Sequence, residues 1–159
     1  MPKKLALLAS LVLLMLSSCD PNRLYEQNTE IENGDWAVEN TPVFEFVVQD
    51  TTQRYNIYFN VRYSLSYDYY NLYLRHQLLG PDGQQLSSQL HELHLMDAKT
   101  GRPLGKGSSD IYDLQALAIK NVAFHKVGAH KLVLTQYMRR DPLPNIMSVG
   151  VRVARHSTE

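Results

Sequence analysis

Cysteine is nearly absent from this sequence: one residue, Cys19, among 159. A lone thiol excludes an internal disulfide, a Cys-rich zinc site and a CxxC redox pair. An excess of either charge is missing too, with 16 basic and 16 acidic side chains. That balance argues against a nucleic-acid partner, because binding phosphates calls for a basic surface. No apolar stretch reaches the ~20 residues that a bilayer-spanning helix needs. Tryptophan occurs once and phenylalanine 4 times, whereas tyrosine occurs 10 times. Tyrosine suits strands whose rings have one apolar and one wet end.

Residues 1–18 read as an address and not as part of a fold. Lys3 and Lys4 precede a largely apolar run over 5–16, the length of a signal-peptide core. The run ends in Leu16-Ser17-Ser18-Cys19, an aliphatic residue and two small ones before cysteine. This is the pattern of a bacterial lipobox. Small residues let a signal peptidase approach the backbone, and the thiol accepts a diacylglycerol before cleavage frees its amine. The expectation is a mature chain beginning at Cys19 and held in a membrane by acyl chains such as palmitate. Each buried methylene contributes ~0.8 kcal/mol, so two or three chains anchor firmly. Residues 19–35 are then expected to be the lipidated cysteine and a polar tether, and 36–159 the folded domain.

Beyond the tether the hydrophobic period is two. Over 52–64, Tyr55, Ile57, Phe59, Val61 and Tyr63 alternate with Asn56, Tyr58, Asn60 and Arg62. Over 43–49, Phe44, Phe46 and Val48 share one face, and over 71–79 Leu72, Leu74, His76 and Leu78 do. Gly80-Pro81-Asp82-Gly83 is the strongest turn signal, joining proline's fixed φ to glycine's tolerance of positive φ. A strand is expected at 84–96, a loop at 97–106, and weaker strands at 116–124, 130–138 and 147–154. Seven or eight strands without an amphipathic helix predict an all-β, two-sheet antiparallel β-sandwich, jelly-roll or immunoglobulin-like.

Motifs for chemistry are scarce. His91-Glu92-Leu93-His94 fails as a zincin motif because position 95 is leucine and the segment reads as a strand. His125 and His130 read as solvated side chains. No nucleophile elbow, Walker loop or dinucleotide fingerprint occurs. Asp110 and Asp113 read as turn formers in preference to a catalytic or calcium-binding pair. The expectation is therefore no catalytic residue, no metal and no cofactor. What stands out is the aromatic connection over 64–71, with Tyr67, Tyr69 and Tyr70, and the block over 105–113, with Lys106, Asp110 and Asp113. Both are expected on an exposed rim that contacts a partner. Tyrosines in such a rim also suit a glycan.

With those segments placed, the chain resembles the GldH gliding-motility lipoprotein family of Bacteroidetes. The resemblance runs through the lipobox with Cys-Asp-Pro-Asn-Arg-Leu-Tyr (19–25), Asp-Thr-Thr-Gln-Arg-Tyr-Asn-Ile-Tyr (50–58) and Tyr-Asn-Leu-Tyr-Leu (70–74). It continues through Gly-Lys-Gly-Ser-Ser-Asp-Ile-Tyr-Asp (105–113) and Gln-Tyr-Met-Arg-Arg-Asp (136–141). One departure is Asn145, where glycine is expected after Leu143-Pro144; asparagine also tolerates the left-handed turn such a position needs. The resemblance implies a non-enzymatic envelope lipoprotein of the gliding and type IX secretion machinery, partnered with its other envelope proteins. It supplies no catalytic or ligand-binding residues. The lack of an acidic run after Cys19 favours a periplasm-facing domain over surface display.

Overall fold

The computed structural model describes residues 20–156, so Cys19 and the leader lie outside the described residues. Among the described residues nine strands form: β1 (Arg23–Glu30), β2 (Val43–Val48), β3 (Arg54–Ser64), β4 (Asn71–Leu79), β5 (Gln85–His94), β6 (Lys106–Ser108), β7 (Ile111–Ala123), β8 (Gly128–Gln136) and β9 (Ile146–Arg155). They make two antiparallel sheets, ordered β1-β9-β3-β7-β6 and β2-β8-β4-β5. The period-two reading of the sequence holds. Phe44, Phe46 and Val48 of β2 and the five inward residues of β3 are all buried, as are Leu72, Leu74, His76 and Leu78 of β4. Between the sheets these side chains meet Leu132 and Leu134 of β8 and Val149, Val151 and Val153 of β9 in one core.

The pairing settles the topology. Strand β1 pairs with β9, β2 with β8, β3 with β7, and β4 with β5, each pair antiparallel and nested inside the one before. The chain is thus one long hairpin, turned at Gly80–Gly83 and rolled so that alternate pairs fall in opposite sheets. That is a jelly roll, not an immunoglobulin-like arrangement. At its turn the Gly80 N–H donates to the Gln84 carbonyl at 2.9 Å, and Gly83 takes φ 76°. The short link after β2 crosses from one sheet to the other. There the Asp50 carboxylate accepts from the Thr52 N–H at 2.9 Å and hydroxyl at 2.6 Å.

Two expectations need correction. The tether was expected to run to residue 35, but Arg23–Glu30 is the edge strand β1, in register with β9 from Arg23↔Ala154 to Glu30↔Ser148. Its side chains are mostly polar because one face is solvated and the strand is an edge, so no apolar alternation marks it. The loop expected over 97–106 and the stretch before the strand expected at 116 give way to a hairpin over 105–113, β6 against the start of β7. Its glycines allow that pairing. A Cβ on Gly105 would sit 2.8 Å from the Asp113 carbonyl oxygen, and one on Gly107 would sit 2.9 Å from the Tyr112 Cα. Asn145 does occupy the left-handed region, at φ 68°.

Candidate functional site

The strand register divides the sandwich into two ends, and the two segments singled out in the sequence share one of them. Residues 65–70 follow β3, and the β6–β7 turn lies beside them: the Leu65 N–H donates to the Asp110 carbonyl at 2.7 Å. The two segments are therefore neighbours at one end of the sandwich, but their members do not all face solvent. Tyr67 is 4% exposed, and its hydroxyl donates to the Asn71 carbonyl at 3.0 Å. Burial raises its pKa far above the ordinary phenol value, followed by the charges of Tyr69 and Asp68. The expectation of Tyr67 as a contact residue is corrected: it closes the end of the core. The turn that carries it, with the Tyr67 N–H on the Ser64 carbonyl at 3.0 Å, folds the ring back over the strand ends.

Tyr69 packs edge-on against Tyr67, with ring centroids 5.7 Å apart, and with Tyr70 it stays exposed. Tyr69 also borders an apolar hollow of about 340 Å³ on the outer side of the four-stranded sheet, shared with Tyr73, Leu90, Tyr137, Met138 and Arg139. The Arg75 guanidinium lies 4.5 Å from the Tyr137 ring centre, which gives this hollow a cationic border. Tyr73, Leu90 and Tyr137 were missed as site residues because each is the outward member of an alternating strand. An outward aromatic in an otherwise polar row was the available signal.

Lys106 and Asp113 point to a second place, a groove of about 550 Å³ across the outer face of the five-stranded sheet. Its rows follow from the register: Asn28, Gly150, Asn60 and Gln115 lie side by side, and Ser148, Arg62, Asp113 and Lys106 form the next row. The floor is low because strand β9, between β1 and β3, contributes only Gly150 and Ser148 to these rows. Asn60 Nδ2 donates to Glu26 Oε1 and Asn28 Oδ1, each at 3.1 Å, while Gln115 Nε2 donates to Asn60 Oδ1 at 2.9 Å. Arg62 grips Asp113 with two bonds, Nε to Oδ1 at 2.8 Å and Nη2 to Oδ2 at 3.2 Å. That grip raises the Arg62 pKa. Asp110 sits in the hairpin turn and is exposed. Lys106 and Asp113 are thus brought together, Asp110 is beside them at the hairpin tip, and Tyr69 and Tyr70 lie round the corner on the same end.

A third cluster is internal. His76, 1% exposed, places Nδ1 2.7 Å from His91 Nε2 and Nε2 2.9 Å from Ser87 Oγ. Burial, and then the neighbouring His91, lowers the His76 pKa to about 4. His130, read as solvated from sequence, is instead fully buried between Phe46 and Phe124, with ring centroids at 5.9 and 4.6 Å. No group of three or more metal-ligating side chains occurs among the described residues. Among them no helix is long and apolar enough to cross a membrane.

The family model of the GldH lipoprotein matches residues 23–153, nearly the whole of both sheets. The chain belongs to the GldH lipoprotein family. A gliding motility lipoprotein GldH homolog of Christiangramia forsetii is 29% identical over 150 residues, covering 90% of each chain. The gliding motility lipoprotein GldH of Flavobacterium johnsoniae is 26% identical over 150 residues, covering 90% of this chain and 91% of its own. Among solved structures, an arabinose-bound α-L-arabinofuranosidase covers 87% of this chain with 21% of its own, at 11% identity and a TM-score of 0.37, too slight a likeness to argue from. As a member of the GldH lipoprotein family this is a lipid-anchored protein of the cell envelope. Two blocks that carried the resemblance build the rim. Residues 105–113 are the hairpin. In 136–141, Gln136 Nε2 donates to the Arg140 carbonyl at 3.1 Å, Arg140 pairs with Asp68 at 2.7 Å, and Asp141 accepts from the Val38 N–H at 2.9 Å.

Proposed function

We propose that this protein is an accessory component of the gliding-motility apparatus and of the type IX secretion system associated with it, acting by protein contact and not by catalysis. The observation that carries the reading is the match to two gliding motility lipoproteins along 90% of the chain. The anchor is Cys19, carrying the acyl chains, and the domain faces the periplasm. The contact surface is the rim formed by Tyr69, Tyr70, Lys106 and Asp110, together with the neighbouring groove in which Asp113 lies. The state of the groove carboxylates supports recognition over proton transfer: Glu26 and Asp113 already accept from amide and guanidinium donors.

A deletion strain tests this. Loss of colony spreading and of secreted cargo, both restored by the intact gene, is the expected result. Unchanged spreading and secretion in the deletion would overturn it. A pull-down from envelope extracts separates protein contact from glycan binding. Retention on polysaccharide without recovery of motility or secretion proteins would favour the glycan reading.

A further inference from the structure

Asp20, the first described residue and the neighbour of the proposed anchor, is held against the folded domain. Asp20, bonded to Cys19, has its carboxylate on the Arg152 guanidinium of β9. The Arg23 N–H donates to the Asp20 carbonyl at 3.2 Å, and the Asn22 carbonyl accepts from the Arg155 N–H at 2.8 Å. The hydrogen bond from the Asn22 N–H and then the Arg152 guanidinium lower the Asp20 carboxyl pKa from its ordinary value. An acyl chain on Cys19 would therefore join the domain three residues before β1, where Asp20 and Asn22 are both bonded to β9.

The register shows which end that is. Where β1 begins, β9 ends, β3 begins and β7 ends, as in Arg23↔Ala154, Tyr55↔Arg155 and Arg54↔Ala123. The turns over 49–53, 80–84 and 124–127 lie at the same end, since Val48 pairs with Gly128 and Lys126 pairs with Asp82 at 2.5 Å. Arg54 and Arg155 are exposed there and pair with no carboxylate among the described residues. Val127, 61% exposed, is the most exposed large apolar side chain at this end. The turns at this end also hold Asp50 and the Lys126-paired Asp82, while the opposite end carries Glu32, Asp35, Glu39, Asp68, Asp97 and Asp141 against Lys99, Arg102, Arg139 and Arg140, an acidic excess.

We propose that this end docks flush on the headgroups of an anionic bilayer, with Arg54 and Arg155 against the lipid phosphates and Val127 at the headgroup boundary. The proposal rests on the reading of Cys19 as the anchor. The charge pattern agrees with the covalent geometry, because a bilayer surface attracts the end bearing free arginines and repels the acidic one. Each juxtamembrane basic residue strengthens such contact about fivefold. The rim then stands off the headgroups by the length of β3, about 33 Å for its ten steps of 3.3 Å. Orientation on the membrane and presentation of the rim become one property.

The test uses the full lipoprotein, extracted from cells and reconstituted in vesicles of phosphatidylcholine and phosphatidylglycerol carrying a headgroup nitroxide. Single-cysteine variants Val127→Cys and Lys99→Cys take an environment-sensitive fluorophore, the Cys19 thiol being blocked by lipid. The expected result is loss of fluorescence at 127 and none at 99, with the loss at 127 weakened by Arg54→Glu with Arg155→Glu. Equal quenching at both positions, or stronger quenching at 99, overturns the docking. Quenching indifferent to the two arginine changes overturns the headgroup contact. The mass of the N-terminal peptide separates the readings. If Cys19 carries no lipid, the anchor itself fails and the docking falls with it. If lipid is present and quenching is reversed, only the docking fails.

Discussion

Tyr67 and Tyr70 are three residues apart and have opposite roles, and the difference is measurable. Tyr67→Phe removes a buried hydroxyl whose partner is the Asn71 carbonyl, and should cost about 1 kcal/mol. Tyr67→Ala also empties the end of the core and should cost ~3–5 kcal/mol. Tyr70→Ala and Lys106→Ala, at exposed positions, should stay within about 0.5 kcal/mol of wild type. Urea unfolding of the four variants decides it, and an unchanged midpoint for Tyr67→Ala would return that residue to the contact surface. His76 makes a second residue-scale prediction. Its folded pKa, lowered to about 4, lies below the value of 6.5 it takes in the unfolded chain, so between those values the unfolded chain binds the extra proton. The stability held by neutral His76 is complete above pH 6.5 and is lost as pH falls from 6.5 to 4. At pH 5 the loss relative to pH 7.5 is about 2 kcal/mol. His76→Leu should show a smaller loss over that interval, with His91 left to titrate alone. Equal losses in both proteins would show that the buried pair does not govern the acid limb.

At the scale of elements, β1 and the β6–β7 hairpin carry the tests. Gly150 lies opposite Asn28 in the β1–β9 ladder, and a Cβ there would sit 2.6 Å from the Gln27 carbonyl oxygen and run into the Asn28 amide. Gly150→Ala should therefore destabilise the protein by ~1–3 kcal/mol and loosen the amide row that floors the groove. Hydrogen exchange should show the change first in the β1 amides; exchange unaltered in β1 would contradict the account. Core strands such as β3 and β4 were legible in the sequence because each has one wet and one dry face, and a period of two records that difference. Strand β1 was not, because Glu26, Gln27, Asn28 and Glu30 offer no dry face strong enough to mark an edge strand. The hairpin was hidden for a different reason. Glycines that punctuate loops also permit close backbone approach, and only the partner strand tells the two uses apart. The groove was half legible: Lys106 and Asp113 were singled out, while Asn28, Asn60, Arg62 and Gln115 were ordinary outward residues until the register placed them in rows.

For the whole molecule, the nested pairing brings distant segments together: Arg23 meets Ala154, and Arg62 meets Asp113. The rim is assembled in the same way, from residues 65–70, the 105–113 hairpin and the 136–141 corner, so the proposed contact surface is a folded end and not a linear motif. The central claim is that this end makes the functional contact with proteins of the motility and secretion apparatus. A photo-reactive amino acid in place of Tyr70, in a deletion strain complemented by that variant, tests it most directly. The account predicts a covalent adduct to a gliding or secretion envelope protein in cells that spread normally. Normal spreading with no protein adduct from position 70, alongside an adduct from position 127 at the other end, would contradict it.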